Sequence, residues 1–370
     1  MKHITRMLCI GLVAFSMVAC EKDPTPEPTP EPTPTPDPTP DPTPDPDTTI
    51  QYALVLNEGG WGANNASITC LDTRNGNVVA DWFENANNGR PLGDVAQDML
   101  KYGSKVYATV TFSNSLEVID PKTGASQRVD MGDRNPRHIA AEGGKLYITC
   151  YNPCSVVRVD TASLAIEATC QLGEFHPEGI AIAQGKAFVA SSVTADYSTY
   201  DDKVYVVDIA SFSNPQAITV GTNPGMVKKV SDSKILVAYA GNYSDIYAGS
   251  ALVDVASLEV TQTYQEMAGA AVYNGMVYAY ASTWVEVTPG DWQQTVGYFK
   301  YNPANGESTP LDFLSGIASP YGIDIDATNG DIYVSESISG ANGDVHCYSQ
   351  SGTLRFKAEA GIFPKKVVVF

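Results

Sequence analysis

Histidines, cysteines and a run of acidic residues are the places where this chain could do chemistry. Besides His3, the histidines are His138, His176 and His346. His138 and His176 each sit beside a proline, at equivalent junctions of neighbouring repeats. Two imidazoles near one axis can hold a metal or a ligand, whereas turn histidines bond backbone carbonyls. Cys150 and Cys154 bracket a short turn, which leaves open a disulfide across a hairpin or two buried thiols. A metal site there lacks a second ligand pair nearby. Asp324-Ile-Asp326-Ala-Thr-Asn329-Gly-Asp331 carries oxygens of the kind calcium takes. It lacks the EF-hand spacing and the closing glutamate, and Asn329-Gly330 between two apolar runs is a hairpin signal. There is no Gly-x-Ser-x-Gly elbow, phosphate-cradling glycine loop or His-Glu-x-x-His. The reading is of a protein with no catalytic residues and no metal ligands, and so not an enzyme.

The elements that must position these residues repeat. Gly132 to Gly173 divides into four short runs between turn signals: 137–141, 145–150, 155–160 and 165–172. Four antiparallel strands in about 40 residues make one propeller blade. The marker of each unit is a glycine followed by a proline, as in Gly132…Pro136, Gly173…Pro177, Gly221…Pro224 and Gly361…Pro364, with Pro320 also in place. An apolar strand with Tyr or Phe follows, as in KVYATV, KLYITC, KAFVAS, MVYAYA and DIYVSE. The third strand often ends in aspartate, at Asp120, Asp160, Asp208 and Asp254. Six units are complete, at 93–132, 133–173, 174–221, 222–265, 266–314 and 315–361. A seventh is split: 52–58 and 66–72 lack a first strand, and 364–370 supplies it. The expected fold is all-β, a seven-bladed β-propeller of four-stranded antiparallel blades, closed by pairing the C-terminal strand into blade 1. Six and eight are the neighbouring counts, because the first and sixth units fit the template least.

In a propeller the loops between second and third strands share one face with the blade-to-blade connections. Here those loops are 57–67, 111–115, 151–155, 192–203, 241–250, 282–295 and 337–344. They hold Trp61, Phe112, Tyr151, Tyr197, Tyr200, Tyr243, Tyr247, Trp284 and Trp292, with Asn64, Asn65, Asn114, Asn152, Asn242 and Asn342. The opposite turns are short and glycine-rich, as at Gly103 and Gly143-Gly144. This asymmetry predicts a binding surface for a large, partly apolar, hydrogen-bonding ligand. Trp61, Phe112, Tyr151, Tyr197, Tyr243, Trp284 and Trp292 are the expected ligand-binding residues, and other rings wedge blades together.

Composition narrows the partners. A net charge of −19 and the lack of any Lys/Arg cluster longer than two adjacent residues argue against nucleic acid and anionic membrane surfaces. Residues 1–19 have a positive start at Lys2 and Arg6 and an apolar run too short to span a bilayer, which marks a signal segment. Met17-Val18-Ala19-Cys20 resembles a bacterial lipobox, so Cys20 is the expected lipidation site. Residues 24–46 carry proline at every even position, half of the chain's 24 prolines. Such a tract cannot pack, and as polyproline II at about 3.1 Å per residue it makes a stalk of roughly 70 Å. The domain reading is signal segment 1–19, lipidated cysteine and stalk 20–50, and propeller 51–370.

Two further stretches carry a family resemblance. Glu21-Lys22-Asp23, directly after Cys20, resembles the surface-export signal of Bacteroidetes lipoproteins. Asn57-Glu58-Gly59-Gly60-Trp61-Gly62, followed by Asn65-Ala66-Ser67, resembles the opening signature of surface-exposed propeller lipoproteins of gut Bacteroidetes with YncE-like repeats. The resemblance covers nearly the whole chain. Its characterised BtuG-type members capture cobalamin and hand it to a TonB-dependent outer-membrane transporter. It implies a corrinoid ligand, that transporter as partner, no cofactor, a monomer apart from the transporter, and an outer-membrane, lipid-anchored location facing the exterior. No ligand contact carries over residue by residue. Two other readings stay open: a protein-interaction propeller docking on an outer-membrane complex, and a propeller hydrolase or lyase with an axial metal. The last would recruit Glu178, Asn57 and the two junction histidines.

Overall fold

The computed structural model describes residues 51–370, apart from Ala80 and the side chains of Trp284 and Trp292. The signal segment, Cys20 and the proline-rich stretch lie outside the described residues. Residues 51–370 form seven four-stranded antiparallel sheets. Blade 3 shows the plan, with strands Pro136–Glu142, Lys145–Cys150, Ser155–Asp160 and Ile166–Gln171 running from the axis outward. The two middle strands are apolar on both faces because neighbouring blades cover both. Lys145–Cys150 is buried from Leu146 onward, whereas Ile166–Gln171 at the rim alternates inward and exposed residues and buries only Cys170.

Each blade is too thin to bury its own apolar faces, so the core lies between blades. Among the described residues there are seven such clusters, one per blade-to-blade interface. The one closing the ring packs Tyr333, Val345 and Phe356 of blade 7 against Ala53, Val55, Leu71 and Val367 of blade 1. Blade 1 is assembled from both ends of the described chain. Pro364–Val369 is its inner strand and pairs with Tyr52–Asn57, setting Leu54 opposite Val368 and Asn57 opposite Pro364. The split unit and its closure are as the sequence predicts.

The recurrent aspartate is turn chemistry. Asp160 Oδ1 accepts the backbone N–H groups of Ala162 and Ser163, and Asp120, Asp208 and Asp254 cap the same turn in their blades. A lysine opening the second strand reaches back to it in three blades: Lys105–Asp120 at 3.1 Å, Lys145–Asp160 at 2.7 Å and Lys234–Asp254 at 3.2 Å.

Several expectations are corrected or resolved. The segment 282–295 is not a loop but the tip of a long hairpin, Met276–Thr288 with Asp291–Tyr301. Thr283, Val285 and Val287 carry β-branched strand propensity outward, and Pro289-Gly290 makes the turn. The five described cysteines, including Cys150 and Cys154, are free and buried. The acidic run 324–331 is a hairpin whose oxygens are already bonded. Asp324 Oδ2 accepts the Val367 N–H at 2.7 Å, Asp326 Oδ1 caps Thr328, and Asp331 pairs with Arg355 at 2.6 Å.

Candidate binding site at the mouth of the ring

The glycine-rich opening stretch is held by its own small residues. Asn57, at the end of its strand, donates to Ser67 Oγ and Thr69 Oγ1 and accepts the Gly361 N–H at 2.9 Å. It therefore latches the first described strand to the segment that leads into the closing strand. Gly59 has φ +78°, and a Cβ there would stand 2.6 Å from the Ala66 nitrogen, so only glycine fits. Asn65 Oδ1 accepts the Gly60 N–H and Asp94 the Gly62 N–H, which fixes the backbone on both sides of Trp61. Trp61 is 81% exposed and meets Phe112 edge-on at 6.4 Å.

Below this pair lies a cavity of about 700 Å³ lined by Glu58, Gly59, Trp61, Val95, Phe112, Arg137, Tyr151, Tyr197, Tyr321 and Phe363. Its walls are rings. Tyr151 stacks on His176 at 3.9 Å, Tyr197 meets His176 edge-on at 5.8 Å, and Tyr321 packs on Phe363 at 5.5 Å. Four of the seven expected ligand residues are thus brought together: Trp61, Phe112, Tyr151 and Tyr197. Tyr243 is not among the lining residues; it packs edge-on against Tyr200 at 6.1 Å. Trp284 and Trp292 sit on the long hairpin by their backbone, and their side chains lie outside the described residues.

Two acid–tyrosine–cation clusters frame the cavity. In one, Glu178 accepts the Tyr151 hydroxyl and pairs with Arg137 at 3.1 Å. Arg137 also donates to Gln97 and lies over the Tyr151 ring. His138 stands 3.5 Å from Glu178 on one side and 3.3 Å from Asp98 on the other. Burial alone would raise the Glu178 pKa, but Arg137, His138 and Tyr151 outweigh it and hold the carboxyl well below its ordinary range. Burial and the Glu178 charge push the Tyr151 hydroxyl far up, so it stays a donor. In the other cluster, Glu58 Oε2 accepts both the Tyr321 hydroxyl at 2.6 Å and Lys365 at 3.0 Å. Burial and Glu58 likewise push the Tyr321 hydroxyl far up. Both carboxylates are thus bonded to a tyrosine hydroxyl and a cation.

The two junction histidines are not equivalent. His138 follows its repeat proline by two residues and His176 precedes its own by one, so one enters the axial charge network and the other becomes a stacking platform. Burial lowers the His176 pKa, and its Nδ1 has no partner among the described residues. The amides expected to meet a ligand are mostly committed to their loops. Asn65 holds Gly60, Asn114 accepts the Asn135 N–H, Asn242 caps 244–246, and Asn342 bonds Glu359. The residues not named in advance are Tyr321, Phe363, Arg137, Lys365 and Glu58 as a lining acid. For Arg137, Tyr321 and Lys365 the signal was the repeat marker, since each directly follows a repeat proline, as Glu178 does; Phe363 and Glu58 carry no such mark.

No family model and no curated protein matches the chain. Solved structures do. A quinonprotein alcohol dehydrogenase-like protein from Bacteroides thetaiotaomicron aligns with TM-score 0.62 at 14% identity, covering 86% of this chain and 78% of that one. A candidate 6-phosphogluconolactonase from Bacteroides uniformis aligns with TM-score 0.60 at 14% identity, covering 87% and 100%. The hydrazine synthase of Kuenenia stuttgartiensis aligns with TM-score 0.56 at 18% identity, covering 72% and 92%. At these identities the likeness establishes one thing, that the chain is a seven-bladed β-propeller.

Proposed function

We propose that this propeller is a surface lipoprotein that captures a corrinoid such as cobalamin at the mouth of the ring and passes it to a TonB-dependent outer-membrane transporter, without catalysing a reaction. The observation that carries the reading is the convergence of six rings on one open cavity of about 700 Å³. A corrinoid offers a broad apolar edge studded with amides. Tryptophan and tyrosine give rigid area against such an edge at low entropy cost. Tyr321 and Lys365 both reach Glu58 Oε2, so among the described residues Oε1 has no donor and is available to a ligand amide. The sequence resemblance to BtuG-type proteins supports the choice of corrinoid over other amide-rich ligands. The Cys20 anchor and outward-facing location belong to this reading. The exposed set Tyr243, Ile246 and Tyr247, outside the cavity, favours a protein contact in addition, which fits a transporter partner.

The test is a titration of the full-length protein with cyanocobalamin, followed by its absorbance and by calorimetry. Saturable one-to-one binding that Trp61→Ala weakens is expected. No binding heat and no retained colour would sink the corrinoid reading. Replacing Cys20 with Ser tests the anchor separately: the variant should leave the membrane fraction.

A further inference from the structure

The edge of blade 7 gathers metal-binding groups that the corrinoid reading leaves unused. Glu336, Asp344 and Glu359 stand directly opposite one another across three adjacent strands. Paired residues point to the same side of a sheet, and like charges in that position repel. His346 lies two residues beyond Asp344 on the same strand and so on the same side. Its Nε2 is 2.9 Å from Glu336 Oε2. One ligand atom from each of Glu336, Asp344 and His346 lies within 4.8 Å of the others. Ligand atoms about 2.0–2.2 Å from a zinc ion stand roughly 3.5 Å apart, so side-chain rotations of about 1 Å close the set.

The surroundings fit a cation. The Ala318 N–H holds Glu336 Oε1 at 3.1 Å and fixes that carboxylate, as a supporting shell does for a metal ligand. The cation paired with Asp344 is Lys357, which stands opposite His346, at 2.8 Å and half exposed, so it can swing into solvent when a dication takes its place. His346 is 8% exposed and needs little reordering.

We propose that Glu336, Asp344 and His346 bind a divalent transition-metal ion of the zinc class. An imidazole with two carboxylates suits such ions, whereas calcium and magnesium call for all-oxygen sets. The ion ties the ends of two adjacent strands in blade 7. None of its three ligands lines the aromatic cavity, so the site stands apart from ligand capture.

The test is equilibrium dialysis of the full-length chain, stripped with chelator, against zinc chloride with excess magnesium present, and cobalt(II) substitution read by visible absorption. One zinc per chain and cobalt bands of a low-coordinate nitrogen- and oxygen-ligated ion are expected. His346→Ala and Asp344→Asn should each weaken zinc binding at least tenfold, and Lys357→Ala should hold zinc as tightly as the parent or more so. If His346→Ala does not fold, the rim variant Asp344→Asn carries the test. Failure of the parent to retain zinc, or undiminished zinc affinity in a folded variant of either residue, overturns the proposal.

Discussion

Glu178 and Glu58 stand at the same mouth with the same kinds of partner, yet they do different work. Each accepts a tyrosine hydroxyl and a cation. Glu178 is closed in: Arg137 engages it through two nitrogens, His138 stands on its far side, and Arg137 is itself tied to Gln97. Glu58 has one lysine and one phenol on a single oxygen. A guanidinium fork saturates a carboxylate, whereas an ammonium on a flexible stem leaves part of it open. The comparison separates a cluster that holds inner strands together from one that can still meet a ligand.

The largest expected effect comes from removing the strand that carries the Glu58 cluster's lysine. Deleting 364–370 removes Lys365 and the inner strand of blade 1, exposing two sheet edges and the core cluster between blades 7 and 1. The truncated protein should lose its cooperative thermal transition; a melt like that of the full chain would refute the closure. Next, Arg137→Ala leaves Glu178 enclosed without its main cation and should cost about 3 kcal/mol in denaturant unfolding. Lys365→Ala should cost less than about 1 kcal/mol. Equal losses would erase the distinction drawn between the clusters.

Ligand binding sharpens the same contrast. Trp61→Ala should cost about 2 kcal/mol of corrinoid affinity, roughly thirtyfold, while Tyr243→Ala, outside the cavity, should leave it unchanged. A reversed order in calorimetry would move the site to another blade.

The smallest effect is a pH dependence. The Glu178 carboxyl is held below its ordinary value of 4.5, so its contribution is fully present above that value and is lost as pH falls toward the folded-state pKa. Parent stability should therefore decline with acid below about pH 4, and Glu178→Gln should flatten that part of the curve. An unchanged acid limb in the variant would assign the acid sensitivity elsewhere, with Asp98, also held low beside His138, the next group to replace.

How much of this was legible in the chain follows from which interactions are local. The blade strands and the split unit were readable because alternation, turn residues and the Gly…Pro marker act within a few residues of one another. The aspartates that end third strands proved to be turn caps within their own hairpins. The tip of the long hairpin, 282–295, reads as a loop because its polar and aromatic residues resemble those of the other mouth loops, although the alternation of Thr283, Val285 and Val287 and the Pro289-Gly290 turn mark a hairpin.

The site divides the same way. The sequence alone determined that aromatic side chains crowd the loops of one face, and that reading reached Trp61, Phe112, Tyr151 and Tyr197. Which of those rings share a cavity, and which charges sit beneath them, was decided by tertiary structure. Tyr321 and Glu58 are 263 residues apart and meet only when the ring closes. Arg137 and Glu178 sit at the same place in successive repeats, so nothing local distinguishes a pair between neighbouring blades from two solvated side chains. Repeats make the blades predictable because each solves the same local problem, but the residues at the mouth face one another across blades, and only the closed ring sets those distances.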